Sequence, residues 1–273
     1  MKNANILEIR NLSKSFGANK VIDNISFDVP EGSIFGFIGA NGAGKTTTMN
    51  MILGFLETDS GGITACGEKV SYGKTVKSIG YLPDVPEFYN YMRPMEYLSL
   101  CGELSGMPKA KIMERGKELL ELVGLSKANR KIGGFSRGMK QRLGIIQALL
   151  GEPNLLICDE PTSALDPMGR KEILDILIAV RGKTTVIFST HILNDVERIC
   201  DRVAFLHKGK IVLESAISDL KVQHKSKSIT LEFEQEVDSD EVIRLLGQNN
   251  IIPSRVETGE ICLESLYLEL AKQ

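Results

Sequence analysis

The stretch that decides the fold is Gly39–Thr47, GANGAGKTT, which follows the apolar run Ile34–Ile38 (IFGFI) and leads into the helical sequence TTTMNMILGF. It matches the pattern G-x-x-x-x-G-K-[ST] in the strand–loop–helix context that makes this pattern meaningful. Glycines let the backbone fold around an anion, so that successive N–H groups point at it, and the start of a helix adds positive potential. The sequence therefore predicts a phosphate-binding loop formed by Gly39, Asn41, Gly42, Ala43, Gly44, Lys45, Thr46 and Thr47.

Two side chains of this loop carry specific expectations. Lys45 is expected against the β- and γ-phosphates of a nucleotide, and Thr46 is expected to offer its hydroxyl to Mg²⁺. The alternative interpretation is a glycine-rich turn that only caps a helix. Because glycine, lysine and threonine all fall in place directly after an apolar strand, the pattern favours nucleotide binding.

A second candidate site lies in Leu155–Asp166, LLICDEPTSALD. Four apolar residues predict a buried strand that ends in two adjacent carboxylates, and ligands of open α/β sheets bind at that edge. Asp159 is expected to reach Mg²⁺ through water, and Glu160 to face the water that attacks the γ-phosphate. The alternative is a solvated acidic turn. The phosphate loop in the same chain favours a nucleotide site over this alternative.

A third candidate is His191 in STHIL, which directly follows the apolar strand TTVIFS. A histidine at this edge can hydrogen-bond a γ-phosphate oxygen and the attacking water. A single histidine is more often a surface or packed residue, so its predicted role depends on its position relative to the other motifs.

Apolar runs rich in β-branched residues alternate with helical stretches, which predicts an α/β fold with a largely parallel core sheet. Polar Ser26 and Asp28 alternate with apolar residues in an early strand, which indicates an antiparallel sheet with one exposed face. Strands are expected near residues 6–9, 21–29, 34–38, 155–159, 185–189 and 203–206, and helices after Gly44, at Pro94, after Pro108, after Ser136, after Pro167 and after His191.

The segment Phe135–Leu143, FSRGMKQRL, adds a more specific mark. Together with the phosphate loop, the Asp159–Glu160 pair and His191, in this order, it resembles the ATPase subunit of ATP-binding cassette (ABC) transporters over residues 6–220. Ser136 and Gly138 match the family signature LSGGQ, whereas Arg137 and Met139 replace a glycine and a glutamine. A helix that starts near Ser136 would present a hydroxyl and N–H groups to an anion.

The resemblance implies a fold and further site residues. The fold is a P-loop NTPase of the ABC type, with a mixed core sheet flanked by helices, an antiparallel β subdomain and a helical subdomain. Phe16 in KSFGANKVI matches the aromatic residue that stacks on adenine, with a core aromatic as the alternative. Asp84 in GYLPDVPEF stands where many members have a glutamine that contacts Mg²⁺ and the membrane partner.

The resemblance also implies partners. Residues 163–166 (SALD) match the loop through which two subunits communicate, and the signature serine of one subunit serves the phosphate loop of the other. We therefore expect a head-to-tail dimer around two ATP–Mg²⁺, formed with a second copy or a homologue. A separate transmembrane permease would dock on the helical part, with Tyr89, Tyr91 and Met92 as candidate contacts and ordinary packing as the alternative.

Domain boundaries follow from composition and from the extent of the resemblance. We expect an ATPase domain over residues 1–220 with its helical subdomain at about 84–150, a polar lysine-rich linker at 221–228, and a small C-terminal α/β extension at 229–273. In the extension, residues 228–237 predict a strand, 239–249 a helix capped by Ser239, and 261–273 a short strand and a final helix.

Composition limits where the protein acts. The formal net charge of −2 argues against a broad nucleic-acid-binding face. Five scattered cysteines, without a CxxC pair, favour a reducing compartment over a disulfide framework or a zinc site. No apolar stretch approaches the roughly 18–20 residues that cross a bilayer, and the N-terminus has no signal core. The expected location is the cytoplasmic face of the cell membrane, as a peripheral subunit.

The sequence predicts ATP hydrolysis coupled to transport. The short single cassette, the sequences YLPD and SRGMKQR, and the ending LESLYLEL resemble bacterial exporters of the daunorubicin- and bacitracin-resistance type. The alternatives are an ABC importer subunit, a non-transport ABC ATPase that acts on a soluble or nucleoprotein partner, and a regulatory subunit whose extension binds a small molecule. No residue here indicates the cargo.

Overall fold

A computed structural model describes residues 4–223 and 239–249. Its strands are β1 (Asn5–Phe16), β2 (Asn19–Pro30), β3 (Ile34–Ile38), β4 (Ser60–Ala65), β5 (Glu68–Lys69), β6 (Ile79–Leu82), β7 (Leu155–Asp159), β8 (Thr185–Thr190), β9 (Arg202–His207) and β10 (Lys210–Ala216). Its helices are α1 (Lys45–Ile52), α2 (Pro94–Leu104), α3 (Lys109–Leu122), α4 (Arg137–Leu149), α5 (Pro167–Val180), α6 (Leu193–Ile199), α7 (Ile217–Gln223) and α8 (Ser239–Gln248), with a 3₁₀ turn at Ile132–Gly134.

The central sheet has six strands in the order β10-β9-β3-β8-β7-β6. Strands β9, β3, β8, β7 and β6 run parallel, and β10 closes one edge antiparallel to β9. The carboxyl ends of β3, β7 and β8 therefore lie side by side, which is where ligands of such sheets bind. Because β3 and β7 are buried along their whole length, their sequences are continuous apolar runs rather than alternating ones.

A second, antiparallel sheet has the strand order β2-β1-β4-β5. Its apolar face packs against the central sheet, and the ring of Phe27 stacks at 5.6 Å from that of Phe35 and 5.3 Å from that of Phe37. Ser26 is exposed and Asp28 is half-buried on the other face, as the alternation predicts. A separate core lies between the central sheet and its helices, and α2 and α3 pack together beside α4.

The predicted fold is confirmed in its main parts: a mixed central sheet flanked by helices, with an antiparallel sheet beside it. Two helix starts differ from the sequence prediction. Helix α5 begins at Pro167 itself, because Asp166 caps it by accepting a hydrogen bond from the Gly169 N–H at 2.8 Å. Helix α6 begins at Leu193, since Ile192 after His191 is still extended.

The C-terminal extension is described only in part. A helix is found where one is predicted, although it includes Ser239 as its first residue rather than as the preceding cap. The strand predicted at 228–237 and the strand and helix predicted at 261–273 lie outside the described residues. Domain boundaries at 220 and 228 therefore stay predictions. Within the described residues, no helix is long and apolar enough to cross a membrane.

Candidate nucleotide-hydrolysis site

The loop between β3 and α1 has the shape that its glycines allow. A Cβ atom on Gly39 would stand 2.6 Å from the carbonyl oxygen of Leu206, so the loop passes too close to β9 for any side chain. Gly44, the residue before α1, has φ +109°, and a Cβ there would stand 2.5 Å from Ile22 Cδ1. These positions need glycine for backbone reasons, in addition to any contact with phosphate.

Lys45 is held inside this loop. Its side chain is 6% exposed, and its ammonium donates hydrogen bonds to the carbonyl oxygens of Gly39 at 2.7 Å and Ala40 at 3.2 Å. The same nitrogen lies 3.0 Å from Glu160 Oε1. A buried ammonium requires such partners, because an unpaired charge out of water is costly. The pairing places the cation of the loop directly beside the Glu160 carboxylate, which follows β7.

A short chain of hydrogen bonds connects helix α1 with strands β7 and β8 at the carboxyl edge. Thr46 Oγ1 donates to Asp159 Oδ2 at 2.7 Å, and Ser189 Oγ donates to Asp159 Oδ1 at 2.5 Å. The Glu160 N–H donates to the same Ser189 hydroxyl oxygen at 3.0 Å. Ser189 is fully buried at the end of β8 and fixes both carboxylate residues. Sequence analysis did not assign it a role, because it stands inside an apolar strand.

Glu160 and His191, both predicted to lie at this edge of the sheet, contact each other in the structure. His191 Nδ1 lies 2.9 Å from Glu160 Oε2, within hydrogen-bond distance, while the other oxygen of Glu160 faces Lys45. Glu160 has φ +47°, in the left-handed region that residues other than glycine seldom adopt. The chain therefore turns sharply after Asp159, and this turn aims the Glu160 side chain back at the loop.

These residues surround one open cavity of about 330 Å³. It is lined by Val21, Asn41, Gly42, Gly44, Lys45, Thr46, Thr47, Asp84, Asp159, Glu160, Ser163 and His191. Gly39 lines an adjoining space with Ala40 and Asn41, and Ala43 is buried behind the loop. Val21 and Ser163 are lining residues that sequence analysis did not assign to the cavity. Most of the predicted nucleotide-binding and catalytic residues thus meet in one place.

Phe16 lies apart from this cavity, at the end of β1. Its ring is 51% exposed, which excludes the alternative of a core aromatic, and the Lys14 ammonium lies 5.6 Å from its centroid. An exposed ring is what base stacking requires. Its role with adenine stays a prediction, because the ring does not line the cavity.

Ser136 and Gly138 also lie outside the cavity. Ser136 caps α4, and its hydroxyl oxygen accepts a hydrogen bond from the Met139 N–H at 3.3 Å. Gly138 is in the first turn of the same helix, near Leu165. The structure gives α4 the predicted start and cap, but it does not bring the signature residues to the loop that holds Lys45.

Asp84 lines the cavity and lies close to Arg137, which also departs from the family pattern. Its Oδ1 lies 3.7 Å from Arg137 Nη2, and this oxygen is shielded from solvent without a hydrogen bond. Burial raises the pKa of the Asp84 carboxyl; Arg137 opposes this shift, whereas Asp159 and Glu160 add to it. Two of the three departures from the family motifs, Asp84 and Arg137, are therefore neighbours in the structure.

The donor set fits a magnesium ion held together with a nucleotide. Mg²⁺ prefers oxygen ligands and is bound by one or two carboxylates plus substrate phosphates. Thr46 and Asp159 offer a hydroxyl and a carboxylate side by side, and Asp84 has an oxygen without a hydrogen bond. Among the residues that the structure describes, no group of three or more His, Cys, Asp or Glu side chains forms a metal site by itself.

The geometry defines a class of protein: a P-loop nucleotide hydrolase with a carboxylate and a histidine beside its phosphate loop. Comparisons make this more specific, since residues 22–163 match the ABC transporter family model. The chain is 44% identical over 234 residues to the uncharacterized ABC transporter ATP-binding protein YxlF of Bacillus subtilis (strain 168), covering 85% of this chain and 78% of that protein. It is 39% identical to the bacitracin transport ATP-binding protein BcrA of Bacillus licheniformis, covering 89% and 79% of the two chains.

Solved structures agree with these sequence matches. The structure of an ATP binding subunit of an ABC transporter superposes with a TM-score of 0.74 at 29% identity, covering 97% of this chain and 99% of that one. The chain therefore belongs to the ABC transporter family, as an ATP-binding subunit that hydrolyses ATP. The predicted resemblance to the bacitracin-resistance type is confirmed by the relatives.

Proposed function

We propose that this chain hydrolyses ATP–Mg²⁺ in a head-to-tail pair at the cytoplasmic face of the membrane, and thereby drives export through a separate transmembrane subunit. One observation carries the proposal. Ser136 and Gly138, at the start of α4, stand outside the cavity that contains Lys45, Glu160 and His191. A second subunit facing the first is needed to complete each site.

Nucleotide binding involves an exchange of partners at Lys45. In the structure, the Lys45 ammonium lies 3.0 Å from Glu160 Oε1. We expect the β- and γ-phosphates to take over this ammonium, together with the N–H groups of the loop and of the start of α1. Glu160 then keeps His191 as its partner, at 2.9 Å. The carboxylate becomes free to face water only when phosphate is present.

The hydrolysis step then falls to Glu160 and His191. Glu160 would accept a hydrogen bond from the attacking water and orient it, and His191 would hold that carboxylate in place. Thr46, Asp159 and Asp84 would hold the magnesium ion, which supplies charge stabilisation at the phosphates. ATP that bridges two subunits favours their closed pair, and its hydrolysis removes that bridge.

The surface between β6 and α2 supports docking on a membrane subunit. Val85, Tyr89 and Tyr91 are exposed there, and the two tyrosine rings lie 5.8 Å apart. Large apolar side chains grouped on a surface often mark a protein interface. Met92 instead packs against the helical core. Of the three predicted contact residues, only Tyr89 and Tyr91 are therefore exposed for contact with a partner. Export is the direction we propose, since BcrA is named for bacitracin transport.

The proposal is tested by affinity purification from detergent-solubilised membranes of the native host. The bait is tagged Glu160→Gln protein with ATP and Mg²⁺, which should hold the closed pair because hydrolysis is blocked. The control bait is Glu8→Gln, a partly exposed carboxylate on β1 that lies outside the cavity lining and the helical part. A polytopic membrane protein recovered in near-equal amount, and more with Glu160→Gln than with the control, supports the transporter role.

Other outcomes have distinct meanings. Ribosomes, nucleic acid or only soluble proteins on the bait would reject the transport role and favour the non-transport alternative. Direction is then tested with the recovered pair in inside-out vesicles and labelled bacitracin as the first probe. ATP-dependent uptake into such vesicles means export, whereas ATP-dependent loss from preloaded vesicles means import.

A further inference from the structure

A buried polar contact lies behind the catalytic edge and has no part in the chemistry described so far. Thr162 is 0% exposed and Asp195 is 3% exposed. The Thr162 hydroxyl donates a hydrogen bond to Asp195 Oδ2 at 2.7 Å. Neither side chain lines the nucleotide cavity. The two side chains therefore do not bind phosphate in the cavity. Any role of their hydrogen bond must come from the two segments that it connects.

The contact joins the two segments that carry Glu160 and His191. Thr162 follows Glu160 by two residues in the loop after β7, and Asp195 follows His191 by four residues, one turn along the same segment in α6. On the opposite side, the Glu160 N–H is bonded to Ser189 on β8, two residues before His191. The Glu160–His191 pair is thus enclosed between two hydrogen bonds that connect the same two segments.

Glu160, two residues before Thr162, and Asp195 are both placed at a cost to folding. Glu160 holds a left-handed backbone conformation that a glutamate adopts only when its surroundings impose it. Burial raises the pKa of the Asp195 carboxyl, although the hydroxyl of Thr162 and the charges of Arg170, Arg198 and His191 act in the opposite direction. An apolar residue would fill the same space without that cost.

Helix α5 adds a third connection. Arg170 Nε is shielded from solvent without a hydrogen bond, and it lies 4.0 Å from Asp195 Oδ1. Asp195 thus faces three elements: the loop after β7 through Thr162, its own helix α6, and α5 through Arg170. The position of this carboxylate therefore depends on how the three elements are arranged relative to one another.

We propose that Thr162 and Asp195 are positioning residues that hold Glu160 and His191 within hydrogen-bond distance of each other. The inference rests on the proposed catalytic roles of that pair. Loss of the contact would let the two segments separate, which misplaces the carboxylate relative to the attacking water. We expect it to leave the loop of Lys45 intact, since neither residue lines the nucleotide cavity.

The test compares ATP hydrolysis by the purified chain carrying Thr162→Val or Thr162→Ser. Valine keeps the shape of threonine without the hydroxyl, whereas serine keeps the hydroxyl and loses a methyl group. We expect Thr162→Val to lower kcat by roughly 10- to 100-fold, the size of effect that a small misplacement can have, with KM for ATP changed by less than about 3-fold. Thr162→Ser should stay within about 3-fold of the unchanged chain in kcat.

A second variant identifies the partner. Asp195→Leu should lower kcat as Thr162→Val does, and the double variant should be no worse than either, because both remove one interaction. The matched control is Asp175→Asn, which removes an exposed carboxylate that pairs with Arg198 at 2.7 Å, on the outer side of α5 and α6. This control should leave kcat unchanged.

The outcomes separate the inference from the proposed function. If Thr162→Val hydrolyses ATP at the unchanged rate while Glu160→Gln does not, positioning by Thr162 is rejected and the catalytic role of Glu160 stands. If Glu160→Gln hydrolyses ATP at the unchanged rate, the proposed catalytic role of Glu160 is rejected, and the inference that rests on it is rejected as well. The inference is overturned if Thr162→Val and Thr162→Ser lower kcat equally. It is also overturned if both Thr162→Val and Asp195→Leu lose binding of a fluorescent ADP analogue, because the contact would then serve only folding.

Discussion

Ser189 offers a direct test of how the catalytic edge is assembled, through the substitution Ser189→Ala. The hydroxyl is fully buried, donates to Asp159 Oδ1 at 2.5 Å and accepts from the Glu160 N–H at 3.0 Å. Alanine removes one oxygen atom and leaves almost no cavity, so the effect is the loss of these two bonds. It also leaves the buried N–H of Glu160 without its acceptor.

The magnitude follows from the two bonds. A hydrogen bond to a charged group contributes about 1.5–3 kcal/mol, and a neutral one about 0.5–1.5 kcal/mol. Asp159 keeps its bond from Thr46, at 2.7 Å, which limits the loss on that side. We therefore expect Ser189→Ala to lower the free energy of unfolding by about 2–3 kcal/mol. We also expect a lower kcat, because the Glu160 backbone loses an anchor.

The assay is urea unfolding of the nucleotide-free protein at neutral pH, followed by circular dichroism, with ATP hydrolysis measured in parallel. The control is Ser218→Ala, an exposed serine on α7, which should change the free energy of unfolding by less than about 0.5 kcal/mol. A loss for Ser189→Ala no larger than that of the control would refute the reasoning. The edge would then be held by packing of β7 against β8, without help from this hydroxyl.

Three further outcomes are expected. Gly39→Ala should weaken binding of a fluorescent ADP analogue and lower the unfolding midpoint, because its Cβ would stand 2.6 Å from the Leu206 carbonyl oxygen; unchanged binding would contradict the loop geometry. Burial raises the pKa of the Asp195 carboxyl in the folded state, so ionisation of this group opposes folding. Its contribution to the free energy of unfolding therefore falls as pH rises from about 3.8, the ordinary value, through the folded pKa. Urea midpoints measured from pH 4 to 7 should decline less in Asp195→Asn than in the unchanged chain. Burial raises the thiol pKa of Cys158 and Cys200, so neither should react with iodoacetamide at pH 7.5 before unfolding, as peptide mass mapping would show.

Much of the fold could be predicted because its signals are local. The strands Ile34–Ile38 and Leu155–Asp159 are continuous apolar runs, and the structure gives them the predicted bounds. The residues at their carboxyl ends follow from the same signal, since a parallel sheet brings those ends together. The placement of Lys45, Thr46 and Glu160 at this edge is therefore predictable from the sequence alone.

The contacts that hold the site together were not predictable in the same way. Ser189 stands in an apolar strand and carries no motif, and its role depends on the register of β7 against β8. The Thr162–Asp195 hydrogen bond joins residues 33 positions apart, across a turn whose path the sequence does not specify. Likewise, the Asp84–Arg137 contact needs the placement of α4 relative to β6, which is a matter of helix packing.

The distribution of charge around the cavity sets a condition on what can enter it. Its lining has one ammonium group, that of Lys45, and three carboxylates, those of Asp84, Asp159 and Glu160. A polyphosphate that approached alone would meet a surplus of like charge, only partly offset by the loop N–H groups and the start of α1. We therefore expect the cavity to disfavour a bare nucleotide and to favour one whose charge is already partly neutralised by a bound cation.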